Sequence, residues 1–161
     1  MDFTIKNVSS GHELEKTLNL FRKIFSGMPV IDNPEYSYNK WFERMQHHGE
    51  LMLYATSGHG VVGLAFGRIE SDDIVIAGPI AVHEEFRGLG IAREMMRLLE
   101  ARALRCGAKS IRLGAIASAE NFYSKLGYVG FLLVQSQNHS VEQLLFFNKK
   151  IGLSLQKCMA G

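Results

Sequence analysis

Apolar residues recur along this chain with two periods, and each change of period marks a new element. Residues 2–8 read as a first strand. Ser10 followed by Glu13 is a capping-box pattern. Leu14, Leu18, Phe21 and Phe25 continue at helical spacing, so a first helix is predicted to run to about Ser26. Residues 27–32 read as a loop. Asn33 suits an N-cap and Pro34 a first helical position, and Tyr38, Trp41, Phe42 and Met45 then line one face of a second helix. From Leu51 the period shortens to two. Residues 51–56 and 61–68 are predicted as a hairpin around Ser57-Gly58-His59-Gly60, and residues 74–82 as a further strand after the turn at Asp72-Asp73. Pro79 inside that strand has no N–H for a ladder, so a bulge or a loosened pairing is expected near Gly78-Pro79. A third helix begins near Gly90, carries Ala92, Met96, Leu99, Ala103 and Cys106 as its apolar stripe, and ends at Gly107. Residues 109–115 form a short strand with Ile111, Leu113 and Ala115 on one face. Ser118 caps a fourth helix that ends at Gly127, and residues 128–134 and 141–149 make a last hairpin across residues 135–140.

The order is β-α-α-β-β-β-α-β-α-β-β, an α/β layout of the α+β kind with a mixed sheet. The strand–helix–strand unit from residue 74 to residue 115 implies a parallel crossover. A chain of 161 residues, 47% hydrophobic and 21% charged, fits one domain spanning residues 1–161. The net charge of +2 gives no reason to expect nucleic acid or a membrane surface. The first residues lack the basic and apolar regions of a leader, and no apolar run reaches the length of a membrane span. Cys106 and Cys158 share neither a metal-like nor a redox-like spacing, which points to a reducing cytoplasm. His47-His48 has no further ligand at a useful spacing, so no metal is expected. Arg93, Arg97 and Arg105 read as a wet helix face.

The chemistry concentrates after the proline-bearing strand. Arg87-Gly88-Leu89-Gly90-Ile91-Ala92 leaves a strand, turns on two glycines and enters a helix. Glycine lets the backbone come close to a ligand, and the first amides of a helix lack intrahelical partners. Both features favour an anion. A dinucleotide turn is disfavoured because Arg93 stands where the third glycine belongs, and a P-loop is excluded because no Gly-Lys-Ser/Thr follows. A plain strand-to-helix turn would account for one glycine but not for two, a flanking arginine and a small residue in the first helical turn, and the run also matches the form R/Q-x-x-G-x-G/A.

With residues 78–92 in this form, with Ala119-Glu120-Asn121-Phe122-Tyr123-Ser124-Lys125-Leu126-Gly127-Tyr128 matching A-x-x-F-Y-x-K-x-G-F/Y, and with this element order, the chain resembles the GCN5-related N-acetyltransferase (GNAT) superfamily. The resemblance covers nearly the whole chain. It implies a fold with a splayed central strand pair and acetyl-CoA as cofactor. The pyrophosphate would lie on the amides of Gly88, Leu89, Gly90, Ile91 and Ala92, flanked by Arg87. The pantetheine would pair with the backbone of Ile80, Ala81 and Val82. Tyr123 would be the acid for the leaving thiolate, with Phe122 as the core member of the pair. A backbone amide near Val82 would serve the thioester oxygen.

Two departures stand out. Residues 74–82 hold no carboxylate, so the base is open among Glu70, Asp72, Asp73, Glu84, Glu85, His83 and a chain of waters. Ile116 occupies a position where the family often has asparagine, so Ser118 or Asn121 would make that cofactor contact, while Lys125 would approach the adenosine phosphates. The implied reaction is direct attack by a primary amine of a small molecule or peptide in a ternary complex. A non-catalytic acyl-CoA sensor and a hydroxyl or thiol acyltransferase are the alternatives. Acceptor choice would fall to residues 25–48 and 135–140, with Met28, Tyr36, Tyr38 and Trp41 available as pocket walls. Neither nucleic acid nor a membrane is an expected partner; a second copy of the chain, as a homodimer, is compatible with this reading.

Overall fold

A computed structural model describes residues 2–116, 119–132 and 144–151. The elements are β1 (Thr4–Asn7), α1 (Gly11–Ile24), α2 (Tyr38–His48), β2 (Met52–Ser57), β3 (Gly60–Ser71), β4 (Ile74–Val82), α3 (Ile91–Arg105), β5 (Ser110–Ile116), α4 (Glu120–Lys125), β6 (Val129–Leu132) and β7 (Leu144–Lys150). The strands form a seven-stranded mixed sheet in the order β1-β2-β3-β4-β5-β7-β6. The predicted element order is the observed one. Backbone contacts divide the chain into two compact units, one of Met1–Arg68 with Pro79–Arg102, the other of Ile69–Gly78 with Ala103–Gly161.

In the first unit β1, β2 and the start of β3 pair antiparallel, with a register shift at Ala55/Thr56. Leu14, Leu18 and Phe21 of α1 and Trp41 of α2 pack on Tyr54, Leu64 and Phe66. Ile91 and Met95 of α3 pack with Ala55, Val62, Ala65 and Val82 in a separate cluster. Gly63 makes that second contact close. A methyl group there would lie 3.1 Å from Met95 Cε, 3.2 Å from the Ala81 carbonyl and 3.4 Å from Ile91 Cγ2. The missing side chain lets the start of α3 sit against the sheet.

The capping box forms as expected. Ser10 Oγ accepts from the Glu13 amide at 3.1 Å. The glutamate has a second role, because its other oxygen accepts the hydroxyl of buried Tyr54. That bond, followed by one from Ser9, holds the Glu13 carboxyl below its usual range. Burial first and Glu13 second push the Tyr54 phenol up to about 12.

Several boundaries differ from expectation. The first helix stops at Ile24, with Gly27 at φ 80 reversing the chain soon after. Asn33 and Pro34 do not open the second helix. They start a three-residue 3-10 turn, with the Asn33 side chain accepting from the Glu35 amide, and Ser37 then takes an extended conformation and caps α2. The break lets the Tyr36 ring stack on Trp41 (6.3 Å, 15°) while Tyr38 stacks on Phe42 (5.8 Å, 22°). Residues 29–32, expected as loop, form another 3-10 turn. On α3 the buried stripe is Ile91, Met95, Met96, Leu99 and Ala103, whereas Ala92 and Cys106 are only partly covered. The stripe is therefore set one residue earlier in the first turn than predicted.

In the second unit β5 is the hub. It pairs parallel with β4 and antiparallel with β7, which pairs in turn with β6. The last two strands are antiparallel partners as predicted, and β7 lies between β5 and β6. The residues connecting them lie outside the described residues, as does Ser118; Ala119 holds the N-cap position of α4 and offers no side-chain acceptor. Val75, Ile111, Leu113, Tyr123, Tyr128 and Phe147 are among its buried residues.

Candidate active site

The β4–β5 ladder ends at Ala77↔Leu113. Gly78 follows at φ 149, then Pro79, and β4 continues to Val82. The register therefore stops where the proline was expected to loosen it. Ile80 is half-buried, Ala81 and Val82 are buried, and the strand leads directly into the glycine turn.

That turn is organised by its own side chains. His83 Nδ1 accepts from the Glu85 amide at 3.1 Å and caps a short 3-10 turn over Glu84–Phe86. The His83 amide donates to the Val62 carbonyl at 2.8 Å, tying the end of β4 to β3. Phe86 is buried between the rings of His59 (5.9 Å) and His83 (5.7 Å). Arg87 Nε donates to the Val82 carbonyl at 3.1 Å, so the guanidinium is folded back across the turn.

Gly88 and Gly90 then adopt φ 81 and 84, conformations that residues with a Cβ rarely take. A methyl built on either would meet nothing within 4 Å. The turn thus faces open space and is solvent-exposed from Arg87 to Gly90. The first helical bond of α3 runs from the Glu94 amide to the Gly90 carbonyl, 3.0 Å. The amides of Ile91, Ala92 and Arg93 precede it and have no partner within the helix. They stand at the positive end of a 15-residue helix. Leu89, 42% exposed, is an apolar side chain left on the rim of the turn. The structure therefore brings Ile80, Ala81, Val82, Arg87, Gly88, Leu89, Gly90, Ile91 and Ala92 together on one strand–turn–helix, with open space at the Cβ positions of Gly88 and Gly90 and helix-end amides of the kind that suit an anion.

The second unit holds the other sequence-derived candidates. Asn121 and Lys125 are exposed on α4. Tyr123 is 6% exposed and packs on Phe122 (4.9 Å), Phe147 (5.4 Å) and Tyr128 (5.9 Å). Phe122 was expected to be the core member of its pair and is not: it is only partly buried, and Tyr123 takes the interior position. On a helix of six residues only one face is covered, and the tyrosine occupies it. Burial raises the Tyr123 phenol above its ordinary range, so the hydroxyl keeps its proton at neutral pH.

Among the candidate bases, Glu70, expected in the turn, is exposed near the end of β3, Asp72 and Asp73 are exposed in the β3–β4 turn, and Glu84 and Glu85 are exposed before the glycine turn. His83 uses Nδ1 for its cap. No group of three or more metal-ligating side chains occurs among the described residues, and no described helix is long and apolar enough to cross a membrane.

Residues 14–128 match the family model of the acetyltransferase (GNAT) family. No curated protein matches the chain by sequence. Among solved structures, Ard1 from Thermoplasma volcanium superposes with a TM-score of 0.75 at 18% identity, covering 93% of this chain and 98% of its own. The structure of yncA from Salmonella typhimurium, solved with its cofactor acetyl-CoA, gives 0.75 at 18% identity, covering 92% and 94%. An N-acetyltransferase from Staphylococcus aureus Mu50 gives 0.74 at 16% identity, covering 94% and 99%. These likenesses establish the fold.

Proposed function

Because this chain belongs to the acetyltransferase (GNAT) family, we propose that it acts as a single N-acetyltransferase domain that acetylates a primary amine of a small molecule or peptide. The observation that carries this reading is the glycine turn: two positive-φ glycines, open space at their Cβ positions, and the first amides of α3, which have no partner within the helix. When bound there, acetyl-CoA supplies an activated thioester that a neutral amine attacks directly, without an acyl-enzyme.

The chain's own contribution is positioning and proton handling. The amides of Gly88, Leu89, Gly90, Ile91 and Ala92 hold phosphate, and the Arg87 guanidinium, anchored on Val82, adds positive charge beside them. Tyr123 retains its proton and donates it toward the leaving sulfur. An alkyl amine has a pKa near 10.4 and arrives protonated. Glu84 and Glu85 are exposed and His83 caps a turn; in this reading a water relay takes the amine proton. Asn121 and Lys125 supply polar contacts to the cofactor from α4.

Release of free CoA across a library of primary amines tests the proposal. Saturable, amine-dependent release with a mass-verified N-acetyl product is the expected result. Tight CoA binding with no turnover on any amine would leave a non-catalytic acyl-CoA sensor. Turnover only on alcohols or thiols would leave a different acyltransferase.

A further inference from the structure

In the first unit, away from the glycine turn, two arginines from different elements converge on one carboxylate. Arg44 of α2 donates to the Glu35 carbonyl at 2.5 Å and to the Glu35 carboxylate. Arg68 of β3 places Nη1 3.6 Å from the same carboxylate oxygen, Oε2. The arginine side chains are recessed, 19% and 21% exposed, whereas the Glu35 side chain is 43% exposed. The Arg44 guanidinium also lies 4.5 Å above the Trp41 ring, which fixes its plane. Glu35 itself sits in a three-residue 3-10 turn with no buried residue.

The Arg44 guanidinium is thus held by packing, both arginines are recessed, and the carboxylate is the more exposed partner. A half-exposed ion pair on a short surface turn contributes little to stability. A planar guanidinium pair is, however, a specific receptor for a carboxylate, because each offers a fork of N–H donors. Beneath it lies the aromatic core: half-buried Tyr36 stacks on fully buried Trp41, which fully buried Phe66 meets edge-on at 5.0 Å. In the same cluster Trp41 Nε1 is fully buried and finds no acceptor among the described residues. Arg68 and Phe66 stand on β3, the strand adjoining β4, whose backbone enters the glycine turn.

Resting on the N-acetyltransferase reading, we propose that the amine acceptor carries a carboxylate, and that Arg44 and Arg68 bind it in exchange for Glu35. Glu35 then acts as an internal stand-in that occupies the guanidiniums until the acceptor arrives. The acceptor class is an amino acid, or a peptide whose free carboxylate lies near the reacting amine, with an apolar or aromatic body against the half-buried Tyr36.

The test compares matched acceptors at saturating acetyl-CoA: free amino acids, the same amino acids as carboxamides, and the corresponding decarboxylated amines. The acids are expected to exceed both neutral analogues in kcat/KM by about tenfold or more, the size of a charge-assisted contact. Arg68→Gln is expected to raise KM for the acids about tenfold and leave the neutral amines unchanged. Glu35→Gln removes the competitor and is expected to lower KM for the acids alone, and it keeps the test open if the arginine variant folds poorly. Equal use of acids and carboxamides, or a preference for acids that Arg68→Gln leaves intact and Glu35→Gln does not increase, overturns the inference while leaving amine acetylation intact. Absence of turnover on every amine overturns the N-acetyltransferase reading and this inference with it.

Discussion

Replacing Gly90 by alanine separates backbone strain from ligand binding. Gly90 sits at φ 84, and its new methyl would touch nothing within 4 Å. The cost to the unliganded protein is therefore conformational alone, roughly 1–2 kcal/mol for a left-handed residue. Stiffening of the unfolded chain offsets about 0.4–1 kcal/mol of this. The net loss is on the order of 1 kcal/mol, or about 2–4 °C in Tm for a chain of this size. Gly107 closes the other end of α3 at φ 91, also with open space around it, so Gly107→Ala carries the same strain. The two variants should lose equal stability in thermal unfolding. They should differ in calorimetric titration with CoA. The Gly90 methyl enters the open space at the turn itself, and affinity should fall at least about tenfold, close to 1.4 kcal/mol. Gly107→Ala should bind CoA as the parent does. If Gly90→Ala loses stability yet binds CoA undiminished, the turn is not the pyrophosphate site. If it loses no stability, the strain reasoning itself fails.

Other outcomes follow from the same geometry. Tyr123→Phe keeps the ring contacts with Phe122, Tyr128 and Phe147 and removes only the hydroxyl. Stopped assays should show kcat down by about 10²-fold with KM for acetyl-CoA unchanged; an unchanged kcat removes Tyr123 as the acid. Gly130→Ala places a methyl 2.9 Å from Cε1 of Phe147, a ring only 1% exposed, so chemical denaturation should report a loss of about 1–3 kcal/mol. The Glu13–Tyr54 bond sets a pH window for stability. Glu13 is depressed, so its contribution is present above the unfolded carboxylate value of about 4.3 and is lost as pH falls through the lower folded value. Tyr54 is raised to about 12, so its contribution is complete below the unfolded phenol value of about 10.0 and is lost as pH rises toward about 12. The Tm difference between the parent and Glu13→Gln should be flat near neutrality and shrink in acid; a constant difference down to pH 3, on the order of one unit below the unfolded value, contradicts the pair.

The element order, the antiparallel hairpins and the glycine turn were legible in the chain because they depend on local rules. Period-two and period-3.6 spacing, a capping box at Ser10 and Glu13, a proline without a donor at 79, and glycines at 88 and 90 all act within a few residues. Long-range contacts decided the rest. Ser37, not Asn33, caps α2, because the turn before it must place Tyr36 against both Phe21 and Trp41. Tyr123, not Phe122, is the interior aromatic, because β7 supplies Phe147 beneath it. Gly63 carries no motif, yet its missing side chain lets α3 approach the sheet. Nor does any spacing link Glu35, Arg44 and Arg68, which meet only once a turn, a helix and a strand are packed together. Local propensity reads neighbours along the backbone, so it placed the strand, the glycine turn and the start of α3. The carboxylate and its two arginines are joined through space, and only folding brings them within reach of one another.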